Sequence, residues 1–194
     1  FFRLLVTSAA YRQQSLITPE KLAQDPDNRL ISRGPRFRMD AEMVRDSALA
    51  ASGLLVKQIG GPSVKPYQPD GVWEAVSMGG NTSRYQRDSG NALYRRSMYW
   101  LWKRSAPPAS MDIFNAPSRE TCTVKRDRTN TPLQALVTLN DPQFVEAARM
   151  LAYQALTHGG ESDQKRIDFV SSRLMSRSFD AAEQVIVQSS LDDM

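Results

Sequence analysis

The chain has 194 residues, of which 41% are hydrophobic and 24% charged, and it carries a formal net charge of +4. These values are typical of globular proteins and exclude a disordered chain, and no run approaches the roughly 20 apolar residues of a membrane-spanning helix. Cys122 is the only cysteine and His158 the only histidine, which excludes an internal disulfide, a C-x-x-C-H haem attachment and a zinc site of the usual Cys/His kind.

The charge is unevenly distributed along the chain. Residues 161–194 carry seven acidic and four basic side chains, a net charge of −3, which leaves +7 on residues 1–160. A basic segment of this size suits an acidic partner such as nucleic acid or an anionic polysaccharide. No motif that reads nucleic acid accompanies this basic segment. We therefore favour the interpretation that its arginines bind carbonyls and carboxylates within the fold. Nucleic acid is therefore not an expected partner, whereas an anionic polysaccharide stays open.

The first part of the chain contains two helical patterns. The opening FFRLLV has the composition of the apolar side of an amphipathic helix whose start is missing, so we expect a piece of a longer protein. A second helix begins after Gly34-Pro35, and Glu42, Arg45 and Asp46 lie at the edge of its apolar stripe, where we favour a surface ion-pair ladder. The predicted apolar stripe consists of Met39, Met43, Ser47, Ala50 and Leu54, with Val44, Ala48, Ala51 and Leu55 beside it.

Residues 56–91 form the first of two long loops. Six glycines and three prolines interrupt every regular period. Tyr67, Val72, Trp73 and Tyr85 are nevertheless apolar enough to pack against the fold, and a long loop with its own anchors is often functional. The glycine pairs match neither G-x-G-x-x-G nor a P-loop, so we do not expect a phosphate site.

A short aromatic element follows at 93–104. The run LYRRSMYWLWKRS predicts a β-strand with Arg96, Met98, Trp100 and Trp102 on one face, and a helix remains an alternative. Four basic and four aromatic side chains also resemble a stacking surface for single-stranded nucleic acid. Without an RNP-like or OB-like pattern, we favour a buried aromatic strand.

Strong helix-start signals come after the second loop, residues 105–130. Thr131 and Gln134 form a capping box around a helix from Pro132 to Leu139. Asp141 caps the next helix, which extends to Gly159-Gly160. Its apolar positions are Phe144, Val145, Ala148, Leu151, Ala152 and Ala155.

Two further helices are predicted near the end of the chain. The first spans Asp163 to Ser176 with Ile167, Val170 and Leu174 inward, and the last runs from Asp180 to about Leu191. The predicted fold is therefore mainly α: an irregular helical domain with long Pro/Gly-rich loops and one or two short strands. We divide 1–194, as a fragment of a single domain, into helices (1–55), a loop-rich segment (56–130) and a helical segment (131–194).

Several quoted stretches carry a family resemblance over nearly the whole chain. TSAAYRQQS, GGPSVKPYQPDGVWEAV, YRRSMYWLWKRSAPPASMDIFNAP and TNTPLQALVTLNDPQFVEAAR occur in order, and the chain resembles the C-terminal domain of unknown function (family 1553) of planctomycete cytochrome-c-type multidomain proteins. The resemblance implies an exported protein, periplasmic or at the cell surface, with haem c on an upstream domain and no cofactor on this chain. It supplies no catalytic residue, and Asn115 and Asn91-Ala92 stand where relatives usually carry carboxylates.

Two functional interpretations remain. The favoured one is a non-catalytic accessory module that docks against upstream domains of the same polypeptide. The alternative is part of a carbohydrate-active or redox enzyme with its site in loops 56–91 and 105–130, where Trp73, Trp100 and Trp102 could stack on sugar rings. The candidate carboxylates, as an acid–base pair or as Ca²⁺ ligands, are Asp70, Glu74, Asp112, Glu120 and Asp127.

Cys122 gives one further prediction. Lys125, Arg126 and Arg128 follow it and would lower the pKa of an accessible thiol. The β-branched neighbours Thr121 and Thr123 instead favour an inward-facing, buried and unreactive cysteine with a structural role.

Overall fold

The computed structural model describes residues 1–76 and 84–193. Its contacts divide the chain into two units, Phe1–Met39 and Asp40–Met194. Gly79 and Gly80 of the predicted loop lie outside the described residues. The division into a single domain with three segments stays a prediction.

The first unit contains two short helices, α1 (Phe2–Thr7) and α2 (Pro19–Gln24). All residues of α1 are exposed. The unit is held by Arg33, which is buried and donates through Nη1 to the Asp25 carbonyl at 2.7 Å and through Nη2 to the Pro26 carbonyl at 2.7 Å. The Asp25 carboxylate accepts the backbone N–H of Arg29 at 2.7 Å, so this unit folds around charged side chains and loop carbonyls.

The second unit is mainly helical, which confirms the predicted fold class. In chain order its α-helices are α3 (Ala41–Ala51), α4 (Val72–Ala75), α5 (Ala109–Ile113), α6 (Pro132–Asn140), α7 (Pro142–His158), α8 (Asp163–Met175) and α9 (Ala181–Asp192). Helix α7 packs against α3, α6 and α8. None of the helices in the described part of the chain is both long and apolar enough to cross a bilayer.

The core lies where α3, α5, α6 and α7 meet. Trp100 and Met111 are almost completely buried there, and the rings of Phe114 and Phe144 lie 6.4 Å apart. The partly buried side chains of Val44, Ala48, Trp102 and Val137 complete this cluster. Helices from distant parts of the sequence thus share one apolar interior.

The main predicted apolar stripe of α3 is not its buried face, although Val44 and Ala48 beside it do pack against the core. Met39 and Met43 are exposed by 43% and 44%, whereas Ala41, Arg45 and Leu49 are buried. Arg45 is therefore not part of a surface ladder. It lies over the Trp100 ring at 5.0 Å and donates through Nη2 to the Leu93 carbonyl at 2.7 Å. The prediction counted only apolar residues as buried. Because Arg45 is polar, the predicted stripe was placed on the side of the helix opposite to it.

The predicted strand at 93–105 is also wrong. The segment forms two 3-10 helices, Gly90–Tyr94 and Ser97–Tyr99. Within the described residues there are only isolated bridges, Val56 with Arg95, Val64 with Trp100 and Lys103 with Ala106. Trp100 is buried as predicted, but Met98 on the same predicted face is 68% exposed. No extended partner strand lies beside this segment in the described part, so the alternation never becomes a sheet.

Buried arginines also organise the first long loop. The Arg95 guanidinium lies 3.9 Å from the centre of the Tyr99 ring and donates through Nη1 to the Pro62 carbonyl at 2.8 Å. It also binds the Gly60 carbonyl, while the Tyr99 hydroxyl accepts the Gly60 N–H at 2.7 Å. These contacts agree with the interpretation that arginines bind carbonyls inside the fold.

The corner between α6 and α7 matches its prediction closely. The Thr131 side chain accepts the N–H of Gln134, whose side chain returns to the N–H of Thr131, so the capping box is confirmed. Asp141 ends α6 and caps α7, with Pro142 in the first position. Helices α8 and α9 lie within two residues of their predicted bounds, although Leu174, predicted inward, is 55% exposed.

Candidate functional site

A charged cavity opens beside the start of α7. Its volume is about 320 Å³, and we call it the Tyr67–Asp141 cavity. It is lined by Tyr67, Gln68, Pro69, Asp70, Arg87, Asp141 and Pro142. The first long loop therefore forms one wall and the α6–α7 corner another.

A carboxylate on α7 fixes the aromatic wall of this cavity. The Tyr67 hydroxyl donates to Glu146 Oε2 at 2.9 Å, and the Tyr94 hydroxyl donates to Glu146 Oε1 at 2.7 Å. Burial and the neighbouring Glu146 carboxylate raise the pKa of Tyr67, and the same causes raise the pKa of Tyr94 to about 12. Both phenols therefore stay protonated and keep donating at neutral pH.

Arg87 is placed by the Tyr67 ring. Its guanidinium lies 4.8 Å from the ring centre, within the range of a cation–π contact. The adjacent Asp88 accepts the Lys65 N–H at 2.7 Å and donates its own N–H to the Lys65 carbonyl at 2.9 Å. The backbone that carries Arg87 is thus tied to the loop that carries Tyr67.

The polar residues on the other side of the cavity are also held. Asp141 Oδ1 accepts the N–H of Gln143 at 3.0 Å, and burial raises the pKa of the Asp141 carboxyl although this bond favours its charged form. The Gln68 side chain accepts the Ala109 N–H at 3.2 Å and donates to the Pro107 carbonyl at 3.2 Å. Asp70 is exposed at the rim.

This arrangement can bind through charge but does not form a metal centre in the part described. One guanidinium and two carboxylates line the same space, next to an aromatic ring and two prolines. Within residues 1–76 and 84–193, no three His, Cys, Asp or Glu side chains come close enough to hold a metal ion. The groups that line the cavity can form charge-assisted hydrogen bonds with a small molecule.

Residues 1–191 match a family described as protein of unknown function (DUF1553). The chain belongs to that family. No curated protein and no solved structure matches it. The predicted family is therefore confirmed, while membership of a cytochrome-c-type protein stays a prediction.

The five candidate carboxylates of this DUF1553 chain are scattered. Asp70 lines the Tyr67–Asp141 cavity, whereas the other four are exposed and do not line it. Glu74 lies in α4, Asp112 in α5, and Glu120 and Asp127 in the second long loop. Their proposed role in catalysis or Ca²⁺ binding stays a prediction.

Of the residues that line the cavity, only Asp70 was predicted as a site residue. Asp141 was predicted only as a helix cap and Tyr67 only as a packing anchor, while Arg87 carried no signal. Glu146, which fixes Tyr67, lies five residues after Asp141 and was also missed. Glu146 is the next carboxylate along the chain after this acidic cap, but its tyrosine partners come from 52 and 79 residues away.

The second long loop uses its arginines to hold carboxylates. Arg126 donates to both carboxylate oxygens of Glu42, at 2.5 and 3.2 Å. Although burial opposes ionisation of Glu42, this bidentate contact lowers the pKa of its carboxyl. Arg119 lies over the Trp102 ring at 4.4 Å. The basic loop is thus partly neutralised within the fold.

The predicted burial of Cys122 is wrong. Cys122 is exposed, as are Thr121 and Thr123 on either side. The prediction required a strand with one covered face, but this segment is irregular and all of residues 118–125 are exposed. β-Branched neighbours alone do not bury a side chain when no element packs over them.

Proposed function

We propose that this chain is a non-catalytic docking module of a larger exported, cytochrome-c-associated protein. In this role it contacts the other domains of the same polypeptide through an uncovered apolar helix surface. The observation that carries the proposal is the composition of α7.

Helix α7 has two apolar stripes, and only one is packed. Phe144, Ala147, Leu151 and Ala155 are buried. The second stripe comprises the next residue after each of these, Val145, Ala148, Ala152 and Leu156, and all four are exposed. A shift of one residue is a rotation of about 100° around a helix. A helix that is apolar on two sides is typical of one covered on two sides.

Helix α6 adds a further apolar surface beside the same corner. Leu133, Leu136 and Leu139 are exposed by 53%, 53% and 71%. The whole helix, PLQALVTLN, contains no charged residue. Isolated exposed apolar residues are normal, but apolar stripes on two successive helices mark an interaction surface. The exposed Arg149 is the one charged residue within the α7 stripe. We call Leu133, Leu136 and Leu139 with the exposed α7 stripe the α6–α7 surface.

The proposed occupant is a neighbouring domain rather than free solvent or a charged ligand. A surface with Arg149 as its one charged side chain gives little attraction to a polyanion or a polycation, so its partner is mainly apolar. Resemblance to multidomain proteins supplies such a partner within the same polypeptide, at high effective concentration. The same resemblance supports export and a haem c on another domain. A second copy of this chain is the competing occupant.

Hydroxyl-radical footprinting tests the assignment. In the isolated chain, Leu136 and Leu156 should be oxidised about as readily as Ile59, which is 87% exposed. In the full-length parent protein, Leu136 and Leu156 should be protected severalfold while Ile59 is not. Equal oxidation in both proteins would refute docking through this surface.

Two further measurements separate the occupants. Light scattering of the isolated chain should give a monomer, and a dimer broken by Leu156→Glu would assign the surface to a second copy instead. In the parent protein, Leu136→Glu and Leu156→Glu should speed proteolysis between this chain and its neighbour, and Ile59→Glu is the matched control. If Ile59→Glu has the same effect, the surface is not specific.

A further inference from the structure

We infer that the Tyr67–Asp141 cavity binds a small zwitterion, an α-amino acid with an apolar side chain. This inference concerns a different surface from the α6–α7 surface and does not depend on docking. It starts from the charges that line the cavity. Asp70, Asp141 and Arg87 face the same space, and among the described residues none of the three forms an ion pair within 4.0 Å.

Both signs of charge are thus left for a ligand. An ammonium group can bind the carboxylates of Asp70 and Asp141, where Asp141 has one oxygen engaged by the Gln143 N–H. A carboxylate can accept from the Arg87 guanidinium, the side chain best suited to bidentate contact with it. A zwitterion satisfies both sides at once.

The remaining walls suit an apolar side chain. Pro69, Pro142 and the ring of Tyr67 supply the uncharged lining. The volume of about 320 Å³ lies at the lower end of the range for small-molecule sites. A molecule the size of leucine therefore matches both the polar and the apolar parts of the cavity.

Two of the three charged groups, Arg87 and Asp141, are also held before any ligand arrives. Glu146 fixes Tyr67, and Tyr67 supports Arg87 through its ring. Asp141 is fixed as the cap of α7. Such preorganisation lowers the entropic cost of binding.

Other ligand classes satisfy these groups less well. Two carboxylates against one guanidinium repel an anionic polysaccharide, so the cavity does not favour that partner. A neutral sugar can form hydrogen bonds with these groups, but it carries no charge to pair with any of the three. A simple amine or a simple carboxylic acid would satisfy only one side.

Calorimetric titration of the full chain with matched ligands tests the inference. L-Leucine should bind, whereas 4-methylpentanoate, which lacks the ammonium, and 3-methylbutylamine, which lacks the carboxylate, should bind at least tenfold more weakly. No saturable heat with L-leucine up to about 50 mM, a range that includes weak millimolar binding, would overturn it. Equal binding of leucine and 4-methylpentanoate, or tighter binding of glucose or glucuronate, would overturn it as well.

Substitutions locate the binding. Asp70→Asn keeps the size of the side chain, and Arg87→Gln replaces the guanidinium by a shorter neutral amide. Each should weaken leucine binding by roughly tenfold, the effect of one lost charged hydrogen bond. Arg96→Gln and Glu74→Gln change exposed residues outside the cavity and should bind as the unmodified chain does. Thermal melting confirms that each variant is folded. Leucine binding unchanged in both cavity variants would place the site elsewhere and refute the inference.

Discussion

Arg45 on α3 donates through Nε to Oε1 of Gln143 on α7 across 2.7 Å, and both side chains are buried. Gln143 in turn donates to the Ser110 hydroxyl of α5 at 3.0 Å. The other nitrogens of Arg45 donate to the carbonyls of Leu93 and Arg95 at 2.7 and 2.8 Å. Arg45 and Gln143 together therefore join α3, α5 and α7 to the segment at 93–95.

Replacing this arginine should be strongly destabilising. Arg45→Met keeps an apolar stem of similar length but leaves two buried carbonyls and the Gln143 amide oxygen without their donor. We expect a loss of about 3 kcal/mol or more in the free energy of unfolding, measured by urea denaturation. Arg96→Met, at an exposed arginine, should change it by less than about 0.5 kcal/mol. Similar small effects for both variants would contradict a structural role for Arg45.

The Tyr94–Glu146 contact should make stability fall at high pH. In the folded chain the pKa of Tyr94 is raised from 10.0 to about 12 by burial and by Glu146. The folded state therefore holds this proton more tightly, so its contribution to stability is complete below about pH 10 and is lost as the pH rises towards 12. Tyr94→Phe should lower the free energy of unfolding by about 1 kcal/mol at neutral pH. Above pH 10 the free energy of unfolding should fall less steeply in this variant than in the unmodified chain.

Denaturation at several pH values checks this prediction. The exposed Tyr153 provides the control, because Tyr153→Phe should keep the decline of the unmodified chain. Some decline should persist in Tyr94→Phe, since burial also raises the pKa of Tyr85 to about 12. An identical decline with and without the Tyr94 hydroxyl would show that Glu146 does not stabilise the phenol.

The capping box of α6 should contribute measurably to stability. Thr131→Ala removes the acceptor for the Gln134 N–H and should cost about 1 kcal/mol in thermal or urea unfolding. Thr138→Ala lies inside the same helix and is exposed, so it should be neutral or slightly stabilising because alanine favours helix. Equal effects at both positions would mean that helix propensity, not capping, sets the outcome.

Cys122 should react readily in the native chain. Its thiol is exposed, so a thiol reagent such as 5,5′-dithiobis(2-nitrobenzoic acid) should label one equivalent without denaturant. Labelling should leave the thermal unfolding temperature unchanged, because no core contact is lost. Labelling that requires urea would show that the thiol is covered in solution.

Local signals in the sequence predicted the helices of the second half of the chain within one or two residues. The capping residues bind backbone N–H groups two or three positions later, so a short stretch of sequence is enough to predict them. They are Thr131, Asp141 and Asp180. The buried face of α3 could not be predicted in this way. Arg45 is buried because carbonyls about 50 residues away accept hydrogen bonds from its guanidinium. The apolar periodicity of α3 does not indicate these carbonyls.

The candidate cavity was predictable only in part. Asp70 was named because it lies in a long loop with anchors, and that loop does form one wall. Arg87 and Asp141 come to the same space through Tyr67, Glu146 and the α6–α7 corner, which are tertiary contacts. Neither the strand-like alternation at 93–105 nor the β-branched neighbours of Cys122 could reveal that a covering element is missing.

The corner at Asp141 has a consequence for how sequence length can vary. The same residue is the C-cap of α6 and the N-cap of α7, so Asp141 alone separates the two helices. One inserted residue between Asn140 and Asp141 would turn α6 by about 100° relative to α7. Gln134, which donates to the Ile113 carbonyl at 2.9 Å, would then point away from α5. Insertions and deletions should therefore be tolerated in the long loops and not at this position, where the count of residues sets the direction that every side chain of α6 faces.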